Sequence, residues 1–197
     1  EVVVLPNGID ADAWTPGEPR TGDEVRVISA MRLATRKRPL EFFSVMKAVH
    51  REAPNVRLEI AGEGDLRPKL VRAVDLADAH EWVSLPGRMT RAQLHDRYRA
   101  SDLYVAPARL ESFGIAALEA RTAGLPVIAR GDSGVREVVT DGVSGLLAAD
   151  DAGLADALVR AATRRGWATT TRPAVRPSPP RPRTSTSWSR VTNSTCC

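Results

Sequence analysis

The strongest constraint on the fold is a rhythm in the sequence. Short apolar runs at residues 25–31, 56–61, 82–85, 103–106, 126–129 and 145–147 are each bounded by turn-forming residues, as buried strands are. Between them, residues 39–52, 65–77, 90–99, 114–123 and 151–163 repeat apolar positions at helical spacing. In the first of these helices Leu40, Phe43, Met46 and Val49 share one face. Thr90 with Gln93 three residues on forms a capping box, and Gly124 supplies a helix stop. A shorter helix is expected at 135–139. Strand and helix in strict alternation build right-handed βαβ units and a parallel sheet covered on both faces. The expected fold is therefore α/β, a Rossmann-like parallel sheet with helices on both faces. Ahead of it, residues 2–5 read as extended up to the turn Pro6-Asn7-Gly8. Residues 10–23, with Pro16, Gly17, Pro19 and Gly22, read as a loop. In open parallel sheets ligands bind beyond the carboxyl ends of the strands. The loops of interest are thus 32–38, 62–64, 86–88, 107–113 and 130–134.

With 197 residues the chain has room for one domain and an appendage. Residues 1–165 form the domain. Residues 166–197 differ in kind: they hold five prolines, many Ser and Thr, and no Leu, Ile, Met, Phe or Tyr. Such a segment cannot bury enough surface to offset its ordering entropy and is expected to be a disordered tail. Its Pro/Arg/Ser/Thr composition is what a shifted, GC-rich reading frame would produce, so an altered frame is the expectation. With no initial Met, and with Glu1 leading straight into an apolar run, the chain is expected to be a fragment of something longer. The formal charge of +4 also belongs to the end of the chain. Residues 164–197 carry seven Arg and no acid, which leaves 21 basic against 24 acidic side chains before them, a net charge of −3. A nucleic-acid partner inferred from overall basicity would rest on the wrong segment. No apolar run reaches the ~18 residues of a membrane span. The two cysteines are the last two residues, Cys196 and Cys197, so the domain has neither a disulfide framework nor a structural zinc site, which suits a cytoplasmic protein.

Two clusters carry chemistry. Glu111 and Glu119 stand eight positions apart across a strand–loop–helix junction, with Ser112, Phe113, Gly114 and Ile115 between them. Gly114 lets backbone approach a ligand, and the first turn of the following helix offers free N–H groups to an anion. Carboxylates accept well from sugar hydroxyls. The array fits a phosphate flanked by two polyols, as in a nucleotide sugar. The second cluster is Arg32 and Lys37, in the loop after the 25–31 strand. Arg binds phosphate with two prongs and Lys acts as a point charge.

Together these motifs resemble the carboxyl-terminal domain of the family 4 retaining glycosyltransferases, which have the GT-B fold. The resemblance runs from about Val2 to Thr163. It is carried by Leu5-Pro6-Asn7-Gly8-Ile9-Asp10, Met31-Arg32-Leu33 with Lys37, Ala61-Gly62-Glu63-Gly64, Leu85-Pro86-Gly87-Arg88, Ser101-Asp102-Leu103-Tyr104-Val105-Ala106-Pro107, the Glu111 and Glu119 pair, and Gly142-Val143-Ser144-Gly145-Leu146-Leu147. It implies one half of a GT-B enzyme, with a nucleotide-diphosphate sugar as substrate and no metal or other cofactor. Arg32 and Lys37 would hold the diphosphate. Glu111 would accept hydroxyls of the transferred sugar. Ser112 and the amides of Phe113, Gly114 and Ile115 would line the sugar and phosphate. Glu119 would bind the ribose, Gly87 and Arg88 would lie near the base, and Gly62 would line the cleft floor. The partner implied is a missing amino-terminal acceptor domain, without which the fragment should be inactive. The complete enzyme would be cytoplasmic or peripheral at the inner membrane surface. The chain departs from the family at three places: Met31 and Arg38 stand where Gly is common, and Gly131-Asp132-Ser133-Gly134 differs from the usual Gly-Gly pattern.

Other readings stay open at this stage. A GT-B sugar-nucleotide epimerase shares the scaffold. A noncatalytic nucleotide-binding module, or a nucleic-acid binder acting through the basic tail, needs no catalytic set. His50, His80 and His95 lack the mutual spacing of a metal or catalytic group. Trp14 and Trp82 are expected to pack a loop and a strand edge. Gly62-Glu63-Gly64 is too incomplete for a dinucleotide fingerprint, and there is no phosphate-loop Gly-Lys-Ser/Thr.

Overall fold

The computed structural model describes residues 8–163. The strand read at residues 2–5 and the tail at 166–197, with its altered-frame reading, lie outside them. Six strands form one parallel sheet: β1 Val25–Ala30, β2 Val56–Ala61, β3 Val83–Gly87, β4 Leu103–Ala106, β5 Val127–Arg130 and β6 Gly145–Ala148. The helices between and after them are α1 Pro39–Glu52, α2 Arg67–Leu76, α3 Arg91–Arg99, α4 Ile115–Thr122 and α5 Asp151–Thr163. The strand order is β3-β2-β1-β4-β5-β6. The chain winds outward from β1 in one direction, returns, and winds outward in the other. The reversal lies between β1 and β4.

Alternating side chains assign the two faces. Val27, Leu103, Val105 and Ile128 join one core with Phe42, Phe43 and Met46 of α1, Leu70 of α2 and Leu154 and Leu158 of α5. Ile28, Tyr104, Val127 and Ala129 point the other way and join Tyr98 of α3, Ala117 and Ala120 of α4, and Trp14. Strands β1, β4, β5 and β6 thus supply both cores from successive residues, as expected of a sheet covered on both faces, whereas β2 and β3 at the far side feed only the first. Trp14 is buried within the segment read as a loop. A 3₁₀ turn at Ala11–Ala13 leads into it, and it packs against Tyr98 at 5.6 Å between ring centroids. Trp82 lies at the mouth of edge strand β3 and stacks on His50 at 4.2 Å.

Several expected boundaries shift for local reasons. The capping box at Thr90 and Gln93 forms as read. Strand β1 ends at Ala30 rather than 31, although the Met31 amide still donates to Ala61. Strand β3 continues through Pro86 and Gly87 instead of closing before them. It is an edge strand, so the missing proline N–H disrupts no inner ladder. Helix α2 begins at Arg67, two residues late, because the Leu66 amide is drawn to the Leu33 carbonyl at 2.9 Å. Helix α4 begins at Ile115 because Gly114 is left-handed (φ +83°). The short helix read at 135–139 is a 3₁₀ turn over Gly134–Glu137.

The loops after β1 and β2 touch backbone to backbone. A Cβ on Gly62 would overlap the Met31 carbonyl oxygen, and its φ of +139° is one that side chains rarely adopt. Strain and overlap each cost ~1–3 kcal/mol. Gly62→Ala should therefore destabilise the chain by about 3 kcal/mol, read as a lower urea midpoint at unchanged slope.

Candidate functional site

Two cavities open beyond the carboxyl ends of the strands, and they share Ala30, Met31 and Arg32. The first, about 360 Å³, sits at the reversal between β1 and β4. Its floor is Ser29, Ala30, Tyr104 and Ala106 at the strand ends. Its walls are Arg32 and Lys37 from the loop after β1, and Glu111 to Ile115 running into α4. The second, about 500 Å³, lies over β1 and β2 and is lined by Gly62, Glu63, Gly64, Arg88 and Met89. Parallel α/β sheets place their ligand crevice at such a reversal of strand order.

Local structure fixes the walls. Ser29 is fully buried, and its hydroxyl donates to the Val105 carbonyl at 2.7 Å, tying β1 to β4 at the floor. The Tyr104 hydroxyl donates to the Ala30 carbonyl at 3.2 Å, and burial pushes its pKa far up, so it stays a neutral donor. The Glu111 carbonyl accepts from the Gly134 amide at 2.7 Å, and a Cβ on Gly134 would overlap the Ser112 carbonyl. Gly114 is held by its left-handed φ and by Val135, whose Cγ2 would lie 2.7 Å from an added Cβ. The 3₁₀ turn at Gly134–Glu137 therefore braces the Glu111 loop from behind.

The two cations expected to share a ligand have different surroundings. Arg32 is exposed and pairs with no carboxylate among the described residues. Lys37, at the end of the 3₁₀ turn Thr35–Lys37, forms an ion pair with Glu111, 74 residues away. Burial raises the Glu111 pKa. The Lys37 hydrogen bond and charge, with the amides of Gly114 and Phe113, outweigh this and hold its carboxyl below the usual range. An ammonium has three donors, so the pair leaves Lys37 able to bind a second acceptor.

The sequence-selected residues divide among the cavities. Arg32, Lys37, Glu111, Ser112, Phe113, Gly114 and Ile115 line the first. Gly62 and Arg88, with Arg32 again, line the second. Gly87 lines neither; its carbonyl accepts from the Gly62 amide at 2.7 Å. Glu119 also lines neither, although Ala116 and Ala117 of its helix do. It is buried, and burial raises its pKa, opposed only in part by Arg91. Sequence reasoning missed a set of ion pairs beside the site: Arg38 with Asp151, Asp151 with Arg130, Arg130 with Asp132, and Asp132 with Arg109. The only sequence signal for it is Arg38 itself, at a position where the resembling family commonly has Gly. The histidines hold local structure: His50 Nδ1 donates to the Val56 carbonyl at 3.2 Å and His95 Nε2 to the Thr15 carbonyl at 2.9 Å, while His80 pairs with Asp75 at the surface. No three His, Cys, Asp or Glu side chains gather as a metal-holding group among the described residues. No helix there is long and apolar enough to cross a membrane.

Residues 10–164 match the family described as glycosyl transferases group 1. The D-inositol 3-phosphate glycosyltransferase of Mycolicibacterium smegmatis is 34% identical over 156 residues, covering 73% of this chain and 35% of that protein. The chain spans only 35% to 42% of the length of the curated relatives it matches. The crystal structure of the C-terminal domain of a glycosyl transferase group 1 family protein (LpcC) from Francisella tularensis superposes with a TM-score of 0.73. Its identity is 22%, over 83% of this chain and 92% of that one. Anabaena HepE, solved in complex with UDP-glucose, superposes with a TM-score of 0.73 at 20% identity, over 86% of this chain and 50% of that one.

Glu111 and Lys37 give a direct test of the site's electrostatics. The Glu111 carboxyl carbon should titrate below the ordinary glutamate range by carbon-13 NMR. Lys37→Met should move it upward, since burial then acts with less opposition. A group with a depressed folded-state pKa adds stability above its unfolded pKa and loses it as pH falls through the folded one. The wild-type chain should therefore lose more thermal stability than Lys37→Met on acidification below the ordinary glutamate pKa.

Proposed function

The chain belongs to the glycosyl transferases group 1 family, and from that premise we propose that it is the carboxyl-terminal, donor-binding domain of a retaining, family 4 enzyme of GT-B type. One observation carries the reading. Two adjoining cavities meet at the exposed Arg32, at the strand-order reversal, and one of them is walled by a carboxylate, an ammonium and a helix start. A nucleotide-diphosphate sugar has the matching order of parts: sugar, diphosphate, nucleoside. The sugar lies in the first cavity with its hydroxyls on Glu111. The diphosphate spans Arg32, Lys37, Ser112 and the amides of Phe113, Gly114 and Ile115. The nucleoside extends along the domain past Gly62, Gly87 and Arg88, and its ribose reaches Glu119. The match to a crystallised C-terminal domain over 92% of its length supports the placement in the complete enzyme. The UDP-glucose bound to the Anabaena neighbour supports the donor class.

The chemistry follows from where charge grows. The bond from the sugar's anomeric carbon to the diphosphate breaks through an oxocarbenium-like state, and the acceptor hydroxyl enters on the same face. Negative charge accumulates on the departing diphosphate, where fixed cations and amide dipoles lower the barrier most. Arg32, Lys37 and the start of α4 supply them, so the step runs without a metal. Glu111 holds Lys37 beside the leaving group while accepting hydroxyls of the sugar. The acceptor is recognised by an amino-terminal domain, and this chain by itself transfers no sugar. The complete enzyme works in the cytoplasm or at the inner membrane surface.

Calorimetric titration of the 197-residue chain with UDP, GDP and ADP tests this reading. One of the three should bind, and Arg32→Ala should weaken it about tenfold or more, the loss of one charge-assisted hydrogen-bond set. A cooperatively folded chain that binds none of them at millimolar concentration overturns it. Glu119 provides a second test. Its raised pKa means that ionisation in the folded chain costs stability as pH rises above the unfolded value. Glu119→Gln should raise the thermal midpoint at pH 7 while weakening nucleotide binding.

A further inference from the structure

The ion pairs beside the site join the loop that carries Lys37 to the loop that carries Glu111. Arg38 directly follows Lys37 and is left-handed (φ +60°, ψ +45°), a conformation that a residue with a side chain adopts at a cost. Its guanidinium forks onto Asp151 at 2.9 and 2.6 Å and reaches the Pro107 carbonyl at 3.4 Å. Asp151 Oδ1 also accepts from Arg130 at 2.9 Å. Arg130 is 6% exposed, forks onto Asp132 at 3.1 and 3.0 Å, and donates to the Ala149 carbonyl at 2.9 Å. Asp132 holds Arg109, two residues before Glu111, at 3.1 Å. Asp151 is thus the one carboxylate that grips both the residue after Lys37 and the arginine leading to the Glu111 loop.

Asp151 is not needed to start its own helix. That role falls to Asp150, whose Oδ1 accepts from the Gly153 amide at 2.7 Å. Nor does the left-handed turn at residue 38 call for an arginine, since glycine would take it without strain. What Arg38 and Asp151 add is a two-pronged, charge-assisted link, which fixes direction as well as distance. The link starts one residue after Lys37 and touches the first cavity's lining at the Pro107 carbonyl.

We propose that Asp151 is a positioning residue of the donor site: through Arg38 and Arg130 it sets Lys37 against Glu111 at the spacing that a diphosphate requires. This rests on the donor-site reading above. Asp151 touches no part of the donor and acts only through the two loops.

The experiment compares wild type, Asp151→Asn and Arg38→Gly in the full 197-residue chain. Arg38→Gly keeps the turn and removes the fork. Two quantities are read: the ratio of nucleoside to nucleoside-diphosphate affinity by calorimetry, and the Glu111 titration midpoint by carbon-13 NMR. Both variants should lose about tenfold in diphosphate affinity, with the bare nucleoside bound within twofold of wild type. Both should also raise the Glu111 midpoint, and the double variant should do no more than either single one. A purely structural role would lower the thermal midpoint and both affinities together, which overturns the proposal. So does a wild-type affinity ratio and Glu111 midpoint in both variants. If Asp151→Asn fails to fold, Arg38→Gly decides alone. If wild type binds no nucleotide, the donor reading falls, and an unmoved Glu111 midpoint in the variants is what sinks the positioning role.

Discussion

Strand β1 is the member on which the rest of the domain depends. It pairs with β2 over its whole length and with β4 through Val27 and Ile28. The crossovers leaving it therefore run in opposite directions on its two sides. Right-handed connection is nearly obligatory for parallel strands, so the helices that follow β1 and β4 diverge to opposite faces and leave their first loops without a covering layer. The crevice is a consequence of connectivity, and side chains only furnish it. The buried Ser29 hydroxyl bonded to Val105 keeps β1 and β4 together at the crevice floor.

Local features were legible because they are written in neighbouring residues. The helix Pro39–Glu52 and the strand Val56–Ala61 end where their apolar spacing and turn residues say they should, and the helix read at 151–163 begins at Asp151 as expected. The capping box at Thr90 needs only four residues to be seen. Strand β3 was misjudged at Pro86 because the sequence does not reveal which strand lies at the sheet's edge, and only an edge tolerates that proline inside a strand. The site was legible in part for the same reason. Arg32, Lys37 and Glu111 stand at strand ends, and strand ends can be counted. Nothing local pairs Lys37 with a carboxylate 74 residues away, or Arg38 with one 113 residues away. Such partners are chosen by the packing of β1 beside β4 and of α5 across α1, and by nothing in the residues between.

Charge around the crevice is compensated unevenly. Lys37, Arg38, Arg109 and Arg130 all hold carboxylates, whereas Arg32 holds none among the described residues. The compensated cations set geometry and contribute little net field. Arg32, where the two cavities meet, and Arg88, in the second cavity, pair with no carboxylate among the described residues and leave their charge available to an anion. Glu119 is the opposite case: a carboxylate buried at a stability cost with only Arg91 in partial opposition. Groups held at such a cost concentrate where a ligand will meet them, in keeping with its proposed contact to a ribose.

The close backbone contacts around the crevice have a consequence for how the site behaves as a recognition surface. Gly62 lies against the Met31 carbonyl, Gly64 against that of Leu33, and Gly134 against that of Ser112. Where loops are separated by side chains, their spacing drifts as rotamers exchange. Here the spacing is set by the radii of main-chain atoms, which have no rotamers. The loops thus enter an encounter already at their working separation, and a ligand has little of their freedom left to quench. The same contacts restrict how the site can evolve. New specificity has to come from the side chains that project into the cavities, because the frame that carries them admits no added carbon.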